Sequence, residues 1–389
     1  IPAGAVPSAY AFIRFGIDSS NYYEYRRPLL RNWQDLAIPL TELTAIKGIR
    51  DPARENERQQ FPVSGDPLAS YVIRGNPTLT KVMFLGFGIA NPSARFPNDL
   101  TTTMWVNELR LIDPESSVDW SAIGSAELKL ADVGSVIGTF SRSNPNFHRL
   151  EERFGNRIQS TNFSVQMQGT LEKFLPSAFK EAKLPISYTH SESYEKPIFE
   201  AQSDVYIEDA AKNQYNRAIS DGKTPDEAQS IADAVTTRSE TLRVQDQWAM
   251  SGVKLGIPIN YWLIKETFNR VSIGYDYSQT FERSPVVVER FKWQWHLTLA
   301  YALNLPPVSL EPLTWSDKVP IIGSYKNWKI NFLPSSFTTN LDLKRGRTTE
   351  QSRFLEFPSP VVRDFTAQRT AQFSWKLAEN GLLSPVVDY

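Results

Sequence analysis

The chain has three imidazoles, His148, His190 and His296, and they are the first place to look for chemistry. A zinc site of the H-E-x-x-H kind needs two histidines on one helix face and a carboxylate beside them. His148 lies in a turn-rich stretch, SNPNFHRLEER, while His190 and His296 fall on the polar faces of strand-like runs. None has a second His or a carboxylate at ligand spacing, and the absence of cysteine removes thiolate ligands, disulfides and any statement about redox compartment. Each is expected to be a lumen or surface side chain. Gly86-Phe87-Gly88 lacks a third glycine and does not open a helix, so it is no phosphate cradle. There is no G-x-S-x-G elbow. Glu108, in WVNEL, has no second carboxylate with which to cleave a glycoside; it is read as a strand residue pairing with Arg110 or Arg14. Tyr22, Tyr23, Tyr25 and Trp33 offer a platform for a sugar ring, or else core and edge packing. The runs ARENER (53–58) and KRGRTTE (344–350) read as solvated hairpin connections. No catalytic, cofactor-binding or metal-binding set emerges, and a non-enzymatic protein is expected.

Composition bounds the elements that would position such residues. The chain has 389 residues, a formal charge of −1, and 12% aromatics including ten Trp and fifteen Tyr. The charge leaves no basic footprint, so nucleic acid is not an expected partner. No run of eighteen apolar residues exists, which rules out a helical membrane span. Aromatic and β-branched residues outweigh helical heptads and favour β structure. Ile1 opens the chain without a basic or apolar leader region, so no signal peptide is read there, and either a removed leader or an excised piece of a longer protein is expected.

Residues 1–113 read as part of a jelly-roll-like β-sandwich. Strands are expected at 10–18, through NYYEYRRPL, in the apolar alternation of 32–47, at ASYVIRGNP, at 81–92 and at MWVNELRLID (104–113), with a charged loop at 51–67. Pro and Gly punctuate them. The other half of such a sandwich is expected upstream of Ile1. Residues 114–389 read as antiparallel strands with one helical insert. Alternation runs through 120–147, 161–176, 184–193, 251–260, 270–283 and 291–303, and resumes around 337–343 and 371–377. The insert, 204–237, reads as a hairpin of two helices. Asp204 caps the first, and Thr224-Pro225-Asp226-Glu227 starts the second. Its Ala-rich stripes suggest a polar ornament rather than core.

The longest alternation, FKWQWHLTLAYALNL (291–305), sets Phe291, Trp293, Trp295, Leu297, Leu299, Tyr301 and Leu303 against Lys292, Gln294, His296, Thr298, Ala300 and Ala302. Thirteen residues at about 3.3 Å each, tilted by about 40°, project to roughly 30 Å. Aromatics gather toward both ends of the apolar face, as in an outer-membrane barrel. A soluble sandwich also alternates, but its strands usually run to about five or six residues. Length favours the barrel.

The run MWVNELRLIDPE, followed by WSAIGSAELKLADVGSV, resembles the W-V-N-E-L-R … L-A-D-x-G-x-V stretch of the SprA family. The likeness extends in order to AFIRFGIDSSNYYEYRRPL, VIRGNPTLTKV, FLPSSFTTNLDLKR and VVRDFTAQRTAQFSWKLAEN. That resemblance implies a segment of a giant β-barrel in the outer membrane of Bacteroidota-type bacteria, the type IX secretion translocon that supports gliding motility. It further implies secreted cargo, lateral-gate and plug proteins as partners, outer-membrane lipid as surroundings, and no cofactor. Family members are far longer than this chain, so it supplies only part of a wall. Other readings open at this point are a soluble carbohydrate-binding β protein and another outer-membrane transporter barrel.

Overall fold

A computed structural model describes residues 9–29, 32–92, 101–113, 117–201, 203–306, 308–318, 325–357, 359–380 and 385–388. The chain is mostly antiparallel β and divides into two compact units. The first is Ile1–Ser121 with Ser143–Ser160 and Glu195–Glu240; the second is Ala122–Arg142 with Thr161–Tyr194 and Thr241–Tyr389.

The first unit is built on β1 (Tyr10–Gly16), β2 (Tyr22–Pro28), β3 (Gln59–Val63), β4 (Asp66–Arg74) and β5 (Phe84–Ala90). They form one sheet in the order β3-β4-β2-β1-β5. Alternation sorts β2 into two faces. Tyr23 and Tyr25 join Phe15, Ala69, Tyr71 and Ile73 in the core, while Tyr22 and Glu24 face the other way. The core is closed by α1 (Leu40–Ile49), whose Leu43 and Ile46 are buried in the same cluster. The expected all-strand sandwich is thus a single sheet with a helical cover. The alternation read at 32–47 lasts only from Leu36 to Leu40. From Pro39 onward Leu40, Leu43 and Ile46 recur at helical spacing, and that period wins. Leu43→Ala should therefore cost about 2–5 kcal/mol, as for other buried leucines, read as a lowered urea midpoint for this unit.

Three further expectations differ here. Strand β3 lies inside the stretch expected as loop at 51–67. Residues 101–113 carry no secondary structure, so MWVNELRLID is not a strand. Nor does Asp204 cap the insert. Tyr206 precedes α2 (Ile207–Ser220), and α3 (Pro225–Ser239) opens with a full capping box between Thr224 and Glu227, as the sequence indicates. The insert is no ornament. Val205, Ala210 and Val235 bury against one another, and Arg217 Nη2 donates to the carbonyls of Gly48 (2.8 Å) and Arg50 (3.1 Å) at the end of α1. Those carbonyls have no partner within the helix, so a cation there satisfies them. Gly48 lets the two helices approach closely: a Cβ there would sit 2.1 Å from Asn213 Nδ2, and the Asn213 side chain would have to move.

Asp204 itself is buried. Its carboxylate accepts from Tyr23 Oη (3.0 and 3.1 Å), Lys47 Nζ (3.0 Å) and the Leu79 amide (2.8 Å), and Lys47 also donates to Pro77 O (2.7 Å). Burial pushes the Lys47 ammonium below its ordinary pKa, with the charge of Asp204 opposing that shift. Burial, then Asp204, pushes the Tyr23 phenol well above its usual range. The polar residue expected at the insert's solvent-facing start is therefore the link between β2, α1 and the insert.

Most of the second unit belongs to one ten-stranded antiparallel sheet. Its strands are β6 (Ser121–Leu130), β7 (Gly134–Ser143), β8 (Ile158–Thr170), β9 (Pro185–Pro197) and β10 (Thr241–Val253). They continue in β11 (Val271–Arg283) and β12 (Val287–Asn304), then β15 (Ser336–Ser352), β16 (Val362–Lys376) and β18 (Val386–Asp388). Except at β12–β15 and β16–β18, neighbours in the sheet are neighbours in sequence. A small sheet of β13 (Ser309–Leu310), β14 (Lys329–Asn331) and β17 (Ala378–Glu379) interrupts the meander. The sheet is open, with β6 and β18 at its edges. Two boundaries differ from the sequence expectation. The alternation at 251–260 leaves the sheet after Val253, because Gly252 (φ 72°) and Gly256 (φ 54°) turn the backbone and Pro258 follows. KRGRTTE is not a connection but the middle of β15, paired on both sides.

Candidate functional site: the two faces of the ten-stranded sheet

Register converts the alternation of single strands into rows. On one face Trp248, Tyr277 and Trp295 lie side by side, followed by Arg345 and Phe365. The next row is Met250, Tyr275, Leu297, Leu343 and Ala367, and the one after is Val253, Ile273, Leu299, Leu341 and Arg369. Arg369 is the one charge in those two rows. Tyr301, Leu303, Phe337 and Phe373 close the band at the far end. At the near end lies a row of Asp246, Gln279, Trp293, Arg347 and Arg363, polar except for Trp293 at its centre. Asp246 accepts from Tyr188 Oη (2.8 Å) and Gln279 Nε2 (3.1 Å), and meets His190 Nδ1 at 2.8 Å. Tyr188 stacks on Trp248 with ring centroids 4.2 Å apart. His190 therefore shares the face of Tyr188, not the polar face assigned to it from sequence.

This apolar band has no covering layer among the described residues. Among the described residues of the second unit, the buried hydrophobics are Ala182, Val253, Val287 and Ala378, none of them aromatic, Leu or Ile. Burying a large apolar side chain contributes roughly 1.5–3 kcal/mol, and here Trp248 and Tyr275 are exposed while Tyr277, Trp295, Leu297, Leu299, Leu341 and Leu343 are only half-buried, so part of that contribution is unused.

The opposite face is ion-paired. Arg290 on β12 bridges Glu282 on β11 (3.2 Å) and Glu350 on β15 (2.9 Å). Six residues further along β12, His296 Nδ1 meets Asp276 Oδ1 at 3.1 Å and Nε2 meets Asp342 Oδ2 at 2.6 Å. Lys344 stands 3.8 Å from Asp342. The carboxylates absent from the sequence neighbourhood of His296 are thus supplied by the adjacent strands. Hydroxyl and amide contacts extend this face, with Thr139 to Ser164 at 2.6 Å and Ser193 to Asn162 at 2.8 Å.

The remaining candidates fall elsewhere. His148 is exposed, its Nδ1 at 3.0 Å from Asn146 O. Gly86 and Gly88 are strand residues opposite Arg14 and Phe12. Glu108 lies in the exposed 101–113 stretch, 4.0 Å from Arg110, and Arg14 pairs with Glu24 instead. Tyr22, Tyr23 and Tyr25 are buried and Trp33 is exposed, so the structure does not bring them together as a sugar platform. ARENER forms a charged turn in which Arg54 pairs with Glu57.

The fold and these two faces define a mostly antiparallel β protein whose largest sheet presents one apolar and one ion-paired surface. The chain belongs to the SprA_N family, described as motility related/secretion protein, whose model matches residues 3–210, more than half of its length. It is a motility- and secretion-related protein. The match runs through β9 into α2, so the likeness noted for FLPSSFTTNLDLKR and VVRDFTAQRTAQFSWKLAEN lies beyond it. No curated protein matches the chain.

Proposed function

We propose that the chain forms part of the wall of an outer-membrane β-barrel that passes folded cargo to the cell surface. In this reading the band centred on Leu297 and Leu299 meets lipid, and the face of Arg290 and His296 lines an aqueous lumen. The observation that carries it is the apolar band on a sheet whose strands β8 to β12, β15 and β16 are 13 to 18 residues long. At about 3.3 Å per residue and a tilt near 40°, such strands reach across a bilayer's apolar layer. Aromatic side chains near the ends of the band suit the lipid–water interface, and a long Arg369 can snorkel toward it. Wide barrels enclose water because diameter grows with strand number. Passage of folded cargo needs width and a lining whose charges are already paired, rather than a catalytic centre, so the protein acts as a conduit and not as an enzyme. Its partners are cargo proteins and the gate and plug proteins of the secretion system.

Brominated acyl chains test the lipid contact, since bromine quenches nearby indoles. Tryptophan fluorescence of the protein in brominated bilayers is expected to fall, and Trp248→Phe with Trp295→Phe should remove a large part of that loss. A soluble, detergent-independent monomer with unquenched fluorescence would exclude the wall and return the soluble carbohydrate-binding alternative.

A further inference from the structure

Residues 104–112, MWVNELRLI, hold apolar side chains in the open. Trp105, Leu109 and Leu111 are 76%, 62% and 86% exposed, and the stretch has no secondary structure. Glu108 within it has φ 50°, a left-handed conformation uncommon for a non-glycine residue. In the same unit β5 lies at an edge of the five-stranded sheet. Its Leu85 and Phe87 stand opposite Phe15 and Ile13 on the core side, yet are 49% and 55% exposed. On the other side of β5, Gly86 and Gly88 have no side chain to cover Arg14 and Phe12. There Arg14 and Arg26 both pair with Glu24, so two guanidinium groups share one buried carboxylate.

We propose that residues 104–112 are a strap that pairs antiparallel with the open edge of β5, setting Glu108 opposite Gly86. That register puts Leu109 against Leu85, Asn107 against Phe87 and Trp105 against Ile89, on the side where β5 is apolar, with Asn107 the one polar residue of the strap there. Leu111 then continues past the strand toward Met83. Val106 faces Gly88 beside Phe12, and the Glu108 carboxylate crosses the bare Gly86 to Arg14, adding a second carboxylate beside the two guanidinium groups that now divide the oxygens of Glu24. A slip of one residue would turn every one of these side chains to the wrong face, so the register is specified by both sides at once. The thirteen residues 91–103 join β5 to the strap. At about 3.3 Å per residue they can extend to about 43 Å, more than enough to return along a seven-residue strand. Docking also gives the unpaired edge its hydrogen-bond partner and restores extended backbone at Glu108.

The chain has no cysteine, so an introduced pair is unambiguous. In the full chain, Leu85→Cys with Leu109→Cys should form a disulfide under mild oxidation at least tenfold faster than Leu85→Cys with Arg110→Cys, whose second position faces the other side. Glu108→Lys should slow the fast pair at least threefold. Labelling of each single cysteine by a water-soluble maleimide confirms that both sites remain reactive in the folded protein. Equal rates for the two pairs overturn the strap, as does a fast pair indifferent to Glu108→Lys. Crosslinking of Leu109→Cys only to a second protein would assign the segment to a partner and overturn it too.

Discussion

Asp204→Ala is expected to cost the first unit about 3–5 kcal/mol, because it strands a buried cation. Lys47 and Asp204 are each less than a tenth exposed and 3.0 Å apart. Without the carboxylate, the ammonium keeps only Pro77 O, and the Tyr23 hydroxyl and Leu79 amide lose their acceptor. Desolvation of two charges offsets much of their attraction, so the pair serves position more than net stability. The double variant Lys47→Met with Asp204→Asn removes both charges and keeps an acceptor for Tyr23 and Leu79. It should recover most of the loss. Urea unfolding of the three proteins decides the matter. A cost below about 1 kcal/mol for Asp204→Ala would mean that water reaches the site. Equal losses in single and double variants would place the stability in the hydrogen bonds and not in the charges.

Arginine placed along β12 should be penalised by depth. At Leu297, in the middle of the apolar band, it is expected to cost about 2–4 kcal/mol; at Leu303, near its end, only about 0–1 kcal/mol. At Thr298, on the other face, it should be tolerated, because Thr298 stands opposite Asp342 and a cation there gains a carboxylate. A protein core would grade the penalty by burial instead. Folding stability or outer-membrane assembly of the three variants in the full-length parent is the measurement. Severe, equal loss at all three positions would mean that both faces are packed in protein, and the lipid-facing assignment would fall.

The strands were legible where a two-residue period persists, as from Phe291 to Leu303, since that period follows from backbone geometry alone. What misled was local pattern without its partner. MWVNELRLI alternates as a strand should, but a strand exists only against an edge, and the described residues place none beside it. KRGRTTE looks like a loop by charge, yet its residues sit between β12 and β16 and alternate between their faces. The turn after Val253 depends on positive φ at Gly252 and Gly256, which the letter G permits without demanding. The helix α1 hid behind three alternating apolar residues. Least legible were the contacts made by register. Nothing near His296 in sequence announces Asp276 and Asp342, 20 and 46 residues away, and nothing near Lys47 announces Asp204.

That last pair has a consequence for the order of events during synthesis. The first unit is assembled from three separate stretches, the last of them Glu195–Glu240. Chains emerge at about 5–20 residues per second, N-terminus first. The carboxylate that Tyr23 and Lys47 await is 157 residues behind Lys47, so it arrives about 8–30 s later. During that interval the five-stranded sheet waits with an uncompensated ammonium, while β6 to β9, made in between, are already available to pair. The first unit therefore starts with the first residues made but cannot close its buried ion pair until residue 204 has emerged, and a nascent chain arrested before that residue should depend more on chaperones than one arrested after Glu240.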